Sequence, residues 1–370
     1  MATAVASSSQ ANRDIVDSLA MPDISSHTSR PDISTQPAKP DISTQPAKPV
    51  VAYLLAASHS GSTLLAMLLA SHPEVCTTGE LKATSLGDPE RYRCSCGAPI
   101  RRCEFWNDIA ARMAARGHDF DITRSETHLS AGATRYEQKL LQPLVRGGAL
   151  EAIRGAGLGL SPTWRKRLAR FHALNESLVR SVCDRTGTRV VVDSSKVGIR
   201  LKYLLRNPGI DVRVIRLIRD GRAVTLTYTD PENFADATAP HLRGGGDGTS
   251  RDKERLTPWD AAHEWRRSNE EADALVSGLD PSRYMTVTYE DVCANTPAVL
   301  SRLWQFVGVS PFNFGKGWRA RNHHVIGNGM RFDSTEEVRL DERWKTELSP
   351  EALAVFEGEA GALNRRLGYV

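Results

Sequence analysis

The stretch over residues 54–75, LLAASHSGSTLLAMLLASHPEV, most constrains the fold of this chain. An apolar run gives way to a Ser/Gly segment at 58–63, and a leucine-rich run over 64–69 follows at once. The first run is typical of a strand buried on both faces, and the second has the spacing of a helix. A short loop between a buried strand and a helix start gathers unpaired backbone N–H groups around a small concavity. The segment therefore predicts an anion-binding loop, most often one for phosphate.

The order of strand, loop and helix recurs twice further along the chain. The predicted strands lie at residues 50–55, 189–193, 212–218 and 284–288. Ser194 and Ser195 are predicted as a turn and helix cap before a helix over 196–206, and another helix is predicted from Arg222. Three such units in succession indicate parallel strands joined by crossover helices. We therefore predict an α/β fold with a central parallel sheet.

The N-terminal part of the chain has a different composition. Residues 22–48 consist of a nine-residue repeat, PDISSHTSR, PDISTQPAK and PDISTQPAK. This repeat is rich in Pro and Ser and lacks the apolar side chains that a core requires. We predict a flexible tail over residues 1–49 and a folded domain over 50–370, with mainly helical insertions between residues 84 and 188.

Charge and hydropathy limit the possible partners. The chain has 48 Lys and Arg against 44 Asp and Glu, a formal net charge of +4. An excess this small gives no argument for a nucleic-acid partner. Residues 1–10 lack the features of a signal peptide, and the longest apolar run, 64–70, is far shorter than a membrane span. We expect a cytoplasmic protein with no nucleic-acid partner and no membrane anchor.

Two loops are predicted to bind phosphate at one edge of the sheet, because ligands of open parallel sheets bind beyond the carboxyl ends of the strands. The first loop has Ser62 after Gly61, where a loop for nucleoside triphosphates needs Lys. The second follows the strand VRVIRLI, which is succeeded by Arg219, with Thr227 two helical turns further on. A guanidinium binds phosphate through two hydrogen bonds. Two such sites predict a nucleotide phosphorylated at two positions.

These two elements resemble the motifs of the sulfotransferases that use 3′-phosphoadenosine 5′-phosphosulfate (PAPS). The 5′-phosphosulfate loop of that family has the form (K/R)-S-G-(S/T)-(S/T)-L, and HSGSTLLAMLLASHPEV is similar to it over 17 residues. The 3′-phosphate motif of the family is a strand ending in Arg with Ser or Thr eight residues later, and VIRLIRDGRAVTLTY is similar to it. The segments VVVDSSKVGIRLKYL, HHVIGNGMRF and CSCGAPIRRCEFW also resemble bacterial members.

The resemblance implies a three-layer, P-loop-like sulfotransferase architecture that binds PAPS. The sulfuryl group would pass in line to an acceptor hydroxyl or amine without a metal, leaving 3′,5′-ADP. The residues implied to hold the 5′-phosphosulfate are Ser58, His59, Ser60, Gly61, Ser62 and Thr63. The residues implied to contact the rest of the nucleotide are Arg219 and Thr227 at the 3′-phosphate, and Arg331 as a further contact. The acceptor stays open between a small molecule, a carbohydrate, a lipid and a peptide tyrosine.

The catalytic groups implied by the resemblance include alternatives. The family has Lys or Arg immediately before S-G, whereas this chain has His59, so either His59 or Lys196 is expected to supply the catalytic cation. The base that accepts the acceptor proton is expected to be Glu80 or Asp193. We favour Glu80, because Asp193 has an alternative role as a helix cap or loop organiser.

Three cysteines lie close together in the sequence at Cys94, Cys96 and Cys103. Their C-x-C-x₆-C spacing lacks the C-x₂-C pair of ordinary zinc sites and an obvious fourth ligand. We expect a disulfide or free thiols here rather than a metal.

Two other functions compete with PAPS-dependent transfer. A non-catalytic module that binds a nucleotide or another anion would need the same loops and no base. A small-molecule phosphotransferase would need an atypical P-loop, because Ser62 stands in the position of the P-loop lysine.

Overall fold

The computed structural model describes residues 48–82, 86, 89–90, 92–124, 126–129, 140–141, 144–145, 147–231, 255–319, 324–327, 329–332 and 335–370. The predicted tail lies outside these residues except for its last two, and so does the segment 232–254.

A five-stranded parallel sheet forms the centre of the described chain. Its strands are β1 (Val50–Leu55), β2 (Val75–Gly79), β3 (Val190–Lys196), β4 (Asp211–Ile218) and β5 (Tyr284–Thr288). They lie in the order β2-β3-β1-β4-β5, and every neighbouring pair is parallel. The predicted α/β class with a central parallel sheet is confirmed.

The central position of β1 explains why its sequence is entirely apolar. It pairs with β3 on one side and β4 on the other, and all of its residues are buried. Side chains of a strand alternate between faces. Val51, Tyr53 and Leu55 accordingly pack into one hydrophobic cluster, and Ala52 and Leu54 into a second on the opposite face.

Helices cover both faces of the sheet. They are α1 (Ser62–Leu69), α2 (Glu104–Ala115), α3 (Gly148–Leu160), α4 (Pro162–Thr186), α5 (Gly198–Leu204), α6 (Gly221–Thr229), α7 (Pro258–Val276), α8 (Tyr289–Ala294), α9 (Thr296–Phe306), α10 (Trp344–Glu347), α11 (Pro350–Glu359) and α12 (Gly361–Arg366). Helices α2 and α4 contribute to the first cluster, and α1 and α9 to the second. The described chain thus has three layers, as the α/β prediction requires.

Two local predictions were wrong. Strand β3 continues through Ser194 and Ser195 to Lys196, so these serines do not form a turn, and α5 begins only at Gly198. The extension is stabilised because Lys196 still pairs with Leu55 of β1, after a register irregularity. Strand β2 was not predicted, since its sequence VCTTG has few apolar residues.

No helix among the described residues is both long enough and apolar enough to cross a bilayer.

Candidate functional site

The loop after β1 has the backbone geometry of an anion site. Gly61 adopts a left-handed conformation, with φ of 83°, and caps the N-terminus of α1. A Cβ at this position would lie 2.5 Å from the Tyr289 ring, so only glycine fits. The first hydrogen bond of the helix runs from the Leu65 N–H to the Gly61 oxygen. The amides of Ser62 and Thr63 precede that bond, so they belong to the helix N-terminus that favours an anion.

Two non-glycine residues near this loop have unusual backbone angles. His59 has a φ of 63° and Lys196 a φ of 66°, and among the described residues they are the non-glycine residues with positive φ. This conformation costs on the order of 1–2 kcal/mol per residue. Such strain is concentrated at functional sites. His59 follows β1 and Lys196 ends β3, the strand paired with β1, so the two strained residues lie at the same edge of the sheet.

Glu80 is held by two lysines directly after β2. Its Oε1 lies 2.5 Å from the Lys196 ammonium, and its Oε2 lies 3.1 Å from that of Lys82. Burial alone would raise the pKa of this carboxyl, but the two lysines outweigh burial and lower the pKa to about 2. Glu80 is therefore an ionised hydrogen-bond acceptor at neutral pH, and its basicity depends on where the Lys196 ammonium lies.

Asp193 is fully buried and paired with Arg200. Its Oδ2 accepts hydrogen bonds from Nε and Nη2 of Arg200 at 3.1 and 3.0 Å. Its Oδ1 accepts from the Ser195 amide at 3.0 Å, the Ser195 hydroxyl at 2.5 Å and the Leu81 amide at 3.3 Å. With no exposed surface and both oxygens bonded, Asp193 is unsuited to take a proton from a substrate. Its contacts fit the alternative role of loop organiser, although the cap of α5 is Val197.

Arg219 links the end of β4 to the loop after β1. Its Nη1 donates to the His59 carbonyl at 2.8 Å, and its Nη2 lies 3.1 Å from an oxygen of Asp341. The guanidinium carbon lies 4.5 Å from the centre of the Tyr289 ring. The buried Nε has no hydrogen-bond partner among the described residues. A buried donor left unpaired costs about 1–3 kcal/mol, so an acceptor from a ligand would stabilise this arrangement.

Two other predicted nucleotide contacts have intramolecular partners. The buried Thr227 hydroxyl donates to the Ala223 carbonyl at 3.0 Å, within α6. Arg331 is buried and donates from Nε and Nη2 to the Arg93 carbonyl, at 3.3 and 3.0 Å, and from Nη1 to the Gly327 carbonyl. All three nitrogens of the Arg331 guanidinium thus donate to backbone carbonyls, and its contact with a nucleotide stays a prediction.

Several residues of the site were not found from the sequence. They are Lys82, Arg200, Tyr289 and Asp341. Each acts by pairing with a predicted residue, and the pairs of Tyr289 and Asp341 with Arg219 join distant parts of the chain. Only Lys82 had a local signal, because it lies two positions from Glu80.

No model of a known protein family matches the sequence. Mouse carbohydrate sulfotransferase 1 is 22% identical to this chain over 201 residues, which are 53% of this chain and 48% of the mouse protein. The chain thus spans about half the length of this curated relative. The match agrees with the sulfotransferase resemblance of the two loop motifs.

Solved sulfotransferase structures also align with the chain. The sulfotransferase domain of the curacin biosynthetic pathway has a TM-score of 0.44 and 17% identity, covering 88% of this chain and 99% of its own. The sulfotransferase domain of the Synechococcus PCC 7002 olefin synthase has a TM-score of 0.40 and 18% identity, covering 86% and 96%. Mouse sulfotransferase SULT7A1 complexed with PAP has a TM-score of 0.37 and 11% identity, covering 88% and 90%.

We predict that Asp193→Asn destabilises the protein strongly, because it leaves Arg200 as a buried charge without its partner. The free energy of unfolding should fall by about 3–5 kcal/mol. The matched control is Asp211→Asn, which breaks an ion pair with Arg213 whose side chains are about one-third exposed; it should cost less than about 1 kcal/mol. Urea unfolding of both variants measures the difference. Equal losses would show that the Asp193 pair does not hold the loops.

We also predict an acid-dependent loss of stability from Glu80. Its pKa is lowered in the folded protein from an ordinary 4.5 to about 2. Its contribution is therefore complete above pH 4.5 and is lost as the pH falls towards 2. The difference in unfolding free energy between wild type and Glu80→Gln should shrink by about 3 kcal/mol between pH 5 and pH 2.

Removal of the second lysine provides the control for this titration. Lys82→Ala should raise the pKa of Glu80, so the loss of stability should move to higher pH. A difference between wild type and Glu80→Gln that does not change with pH would contradict the lowered pKa.

Proposed function

We propose that this protein transfers a sulfuryl group from PAPS to an acceptor hydroxyl or amine. The observation that carries the proposal is the 2.8 Å hydrogen bond from Arg219 Nη1 to the His59 carbonyl. This bond joins an anion-binding loop to a buried guanidinium at the carboxyl edge of the sheet. The loop and the guanidinium are in contact and could each bind an anion, so together they suit a nucleotide with phosphates on both its 3′ and 5′ positions. ATP and 5′-ADP carry phosphates on the 5′ position alone.

The loop is proposed to bind the 5′-phosphosulfate. The amides at the start of α1 offer donors, and the Ser60, Ser62 and Thr63 side chains are buried beside them. Ser62 stands in the position of the P-loop lysine. The loop therefore suits a phosphosulfate more than a triphosphate with Mg²⁺.

Arg219 is proposed to bind the 3′-phosphate through its buried Nε. This donor has no partner within the described chain. A phosphate oxygen would satisfy it, and the Tyr289 ring would support the guanidinium from one face. Thr227 is retained as a proposed second donor, although reaching a phosphate would require its hydroxyl to exchange the Ala223 carbonyl for the ligand.

Glu80 is proposed as the base and Lys196 as the cation of the transfer. The bond between sulfur and the phosphate oxygen breaks as the bond from sulfur to the acceptor oxygen forms, the acceptor proton moves to Glu80, and the electron pair stays on 3′,5′-ADP. Lys196, or His59, would stabilise the charge that develops on the leaving oxygen. If Lys196 moves towards that oxygen, the pKa of Glu80 rises and the carboxylate becomes a better base. The proposed step uses these side chains and assigns no role to a metal.

The acceptor is proposed to be a small molecule, a carbohydrate or a peptide. The curated relative is named a carbohydrate sulfotransferase, which supports the carbohydrate class. The cytoplasmic location and the lack of a nucleic-acid partner stay predictions from the sequence.

A non-catalytic nucleotide-binding module is the second candidate. It is favoured by one observation: Glu80 has a pKa of about 2 while it is paired with Lys196 and Lys82, which makes it a weak base in this arrangement. Only an assay of sulfuryl transfer distinguishes this module from the proposed sulfotransferase.

We predict that 3′,5′-ADP stabilises the purified protein against heat without any metal. A ligand at 100 times its Kd raises the free energy of unfolding by about 2.7 kcal/mol. The measurement is the change in Tm with 3′,5′-ADP, with 5′-ADP and with Mg-ATP. A shift with Mg-ATP alone would favour the phosphotransferase, and no shift with any of the three nucleotides would exclude PAPS-dependent transfer, the nucleotide-binding module and the phosphotransferase.

Variants on β4 and directly after it provide a matched pair for this experiment. Arg219→Lys keeps the charge but removes Nε, so the affinity for 3′,5′-ADP should fall at least about tenfold. Arg213→Lys changes an arginine of the same strand that pairs with Asp211, and it should leave the affinity unchanged. Equal affinities in the two variants would remove Arg219 from the nucleotide site.

We predict that Glu80→Gln lowers turnover by about 100-fold or more, since general base catalysis contributes about that much, while the affinity for 3′,5′-ADP changes little. The assay follows sulfate transfer from labelled PAPS to an acceptor found by screening the classes above. Glu74→Gln is the control, because Glu74 precedes the other end of β2 and pairs with Arg189. Turnover within a few-fold of wild type would show that Glu80 is not the base.

A further inference from the structure

Four side chains with metal-ligand chemistry meet outside the candidate active site. They are Cys94, Cys96, Cys103 and His324, which we call the Cys/His cluster. The Nδ1 atom of His324 lies 3.7 Å from the Cys94 sulfur and 3.4 Å from the Cys103 sulfur, and the Cys96 and Cys103 sulfurs are 3.7 Å apart. All four ligand atoms lie within 4.8 Å of one another.

The three distances that join His324 to two sulfurs and Cys96 to Cys103 are close to those of a tetrahedral zinc site. Zinc bonds of about 2.3 Å to sulfur and about 2.0 Å to nitrogen, arranged as a tetrahedron, separate two sulfurs by about 3.8 Å and a sulfur from a nitrogen by about 3.5 Å. The distances from His324 to its two sulfurs lie on either side of the second value. Bonded disulfide sulfurs would be about 2.05 Å apart, so Cys96 and Cys103 are placed as co-ligands and not as a disulfide.

The local structure holds the four groups in this arrangement. Cys94 and Cys96 lie in a tight turn, closed by a 2.8 Å hydrogen bond from the Gly97 amide to the Cys94 carbonyl. Cys103 caps the N-terminus of α2. The His324 ring stacks on Phe105, with centroids 4.3 Å apart and planes 2° from parallel. Each ligand is thus oriented by its own element or by packing.

We propose that the Cys/His cluster binds one structural Zn²⁺ ion. The three thiols and one imidazole form a Cys₃His donor set, which is typical of zinc. Four protein ligands complete the tetrahedron and leave no position for a substrate, so the ion stabilises the fold and takes no part in chemistry. The expectation of a disulfide or free thiols rested on the missing C-x₂-C pair and on the missing fourth ligand. His324, 221 residues after Cys103, supplies it.

The zinc would hold residues 324–327 next to Glu80, the candidate base. Ser95 and Val325 exchange hydrogen bonds, and Ile326 pairs with the end of β2 through the Thr78 carbonyl at 3.0 Å and the Glu80 amide at 3.2 Å. At Gly79, a Cβ would lie 2.0 Å from the Ile326 oxygen, so the two backbones are in direct contact. A metal at the Cys/His cluster would tie this segment to the loop before α2. The proposal does not depend on the proposed sulfuryl transfer.

Metal analysis of the purified full chain tests the proposal. Protein prepared with reductant and reconstituted with zinc chloride should hold about one tightly bound zinc per chain after gel filtration. Cys96→Ser and His324→Asn should each lose it, and Cys293→Ser, outside the cluster, should retain it. Cobalt(II) in place of zinc should give the strong visible absorption of a tetrahedral thiolate site in wild type and in Cys293→Ser.

A chelator experiment keeps the proposal falsifiable if a ligand variant fails to fold. A strong zinc chelator should lower the Tm of the wild type, and added zinc should restore it. Wild-type protein that binds no zinc after reconstitution overturns the proposal, and so does a Tm that the chelator leaves unchanged. Thiol titration in denaturant then identifies the alternative: four reactive thiols out of six cysteines would indicate a disulfide, and six would indicate free thiols.

Discussion

The buried ion pair between Asp193 and Arg200 is the interaction on which the candidate site depends. One Asp193 oxygen binds the Arg200 guanidinium, and the other binds the amides of Ser195 and Leu81, so a single carboxylate ties the ends of β2 and β3 together. Arg200 extends the same network to the Thr127 carbonyl, and the Thr127 hydroxyl returns to Leu81. Glu80 directly precedes Leu81, and Lys196 directly follows Ser195. These two residues carry the paired carboxylate and ammonium of the site. Their distance is therefore set by a charge pair that no substrate can reach.

The sequence predicted those strands whose pattern is dictated by burial. Strand β1 begins and ends where expected, since a central parallel strand is apolar and ends abruptly at a loop. Strand β5 also has the expected bounds, although it lies at the edge of the sheet and only its Val287 is buried. The edge strand β2 escaped prediction because Thr77 and Thr78 look polar in the sequence. In the structure the Thr77 hydroxyl donates to the Val192 carbonyl at 3.0 Å, which satisfies it next to β3. A threonine with a backbone partner behaves as a core residue, and no local pattern reveals that partner.

The same difference applies to the site. The loop before α1 and Arg219 were predicted because each is encoded within a few consecutive residues. Asp341 was not recognised as a partner of Arg219, nor His324 as a partner of Cys103. More than 100 residues separate the members of each pair in the sequence, so no local pattern indicates the contact. Arg331 was named as a nucleotide contact from the family resemblance, and that contact stays a prediction. The sequence did not reveal that its guanidinium is buried and donates to backbone carbonyls.

Tyr289 acts as a spacer between the two anion-directed elements. One edge of its ring lies against Gly61, and Arg219 lies over its face. Its hydroxyl is anchored by the Arg339 carbonyl at 3.2 Å, so the ring is held in position. The thickness of one aromatic ring thus contributes to the separation between the loop and the guanidinium. A change in the size of this side chain would act on both elements together, and it would alter the separation that any ligand bridging the two elements would have to match.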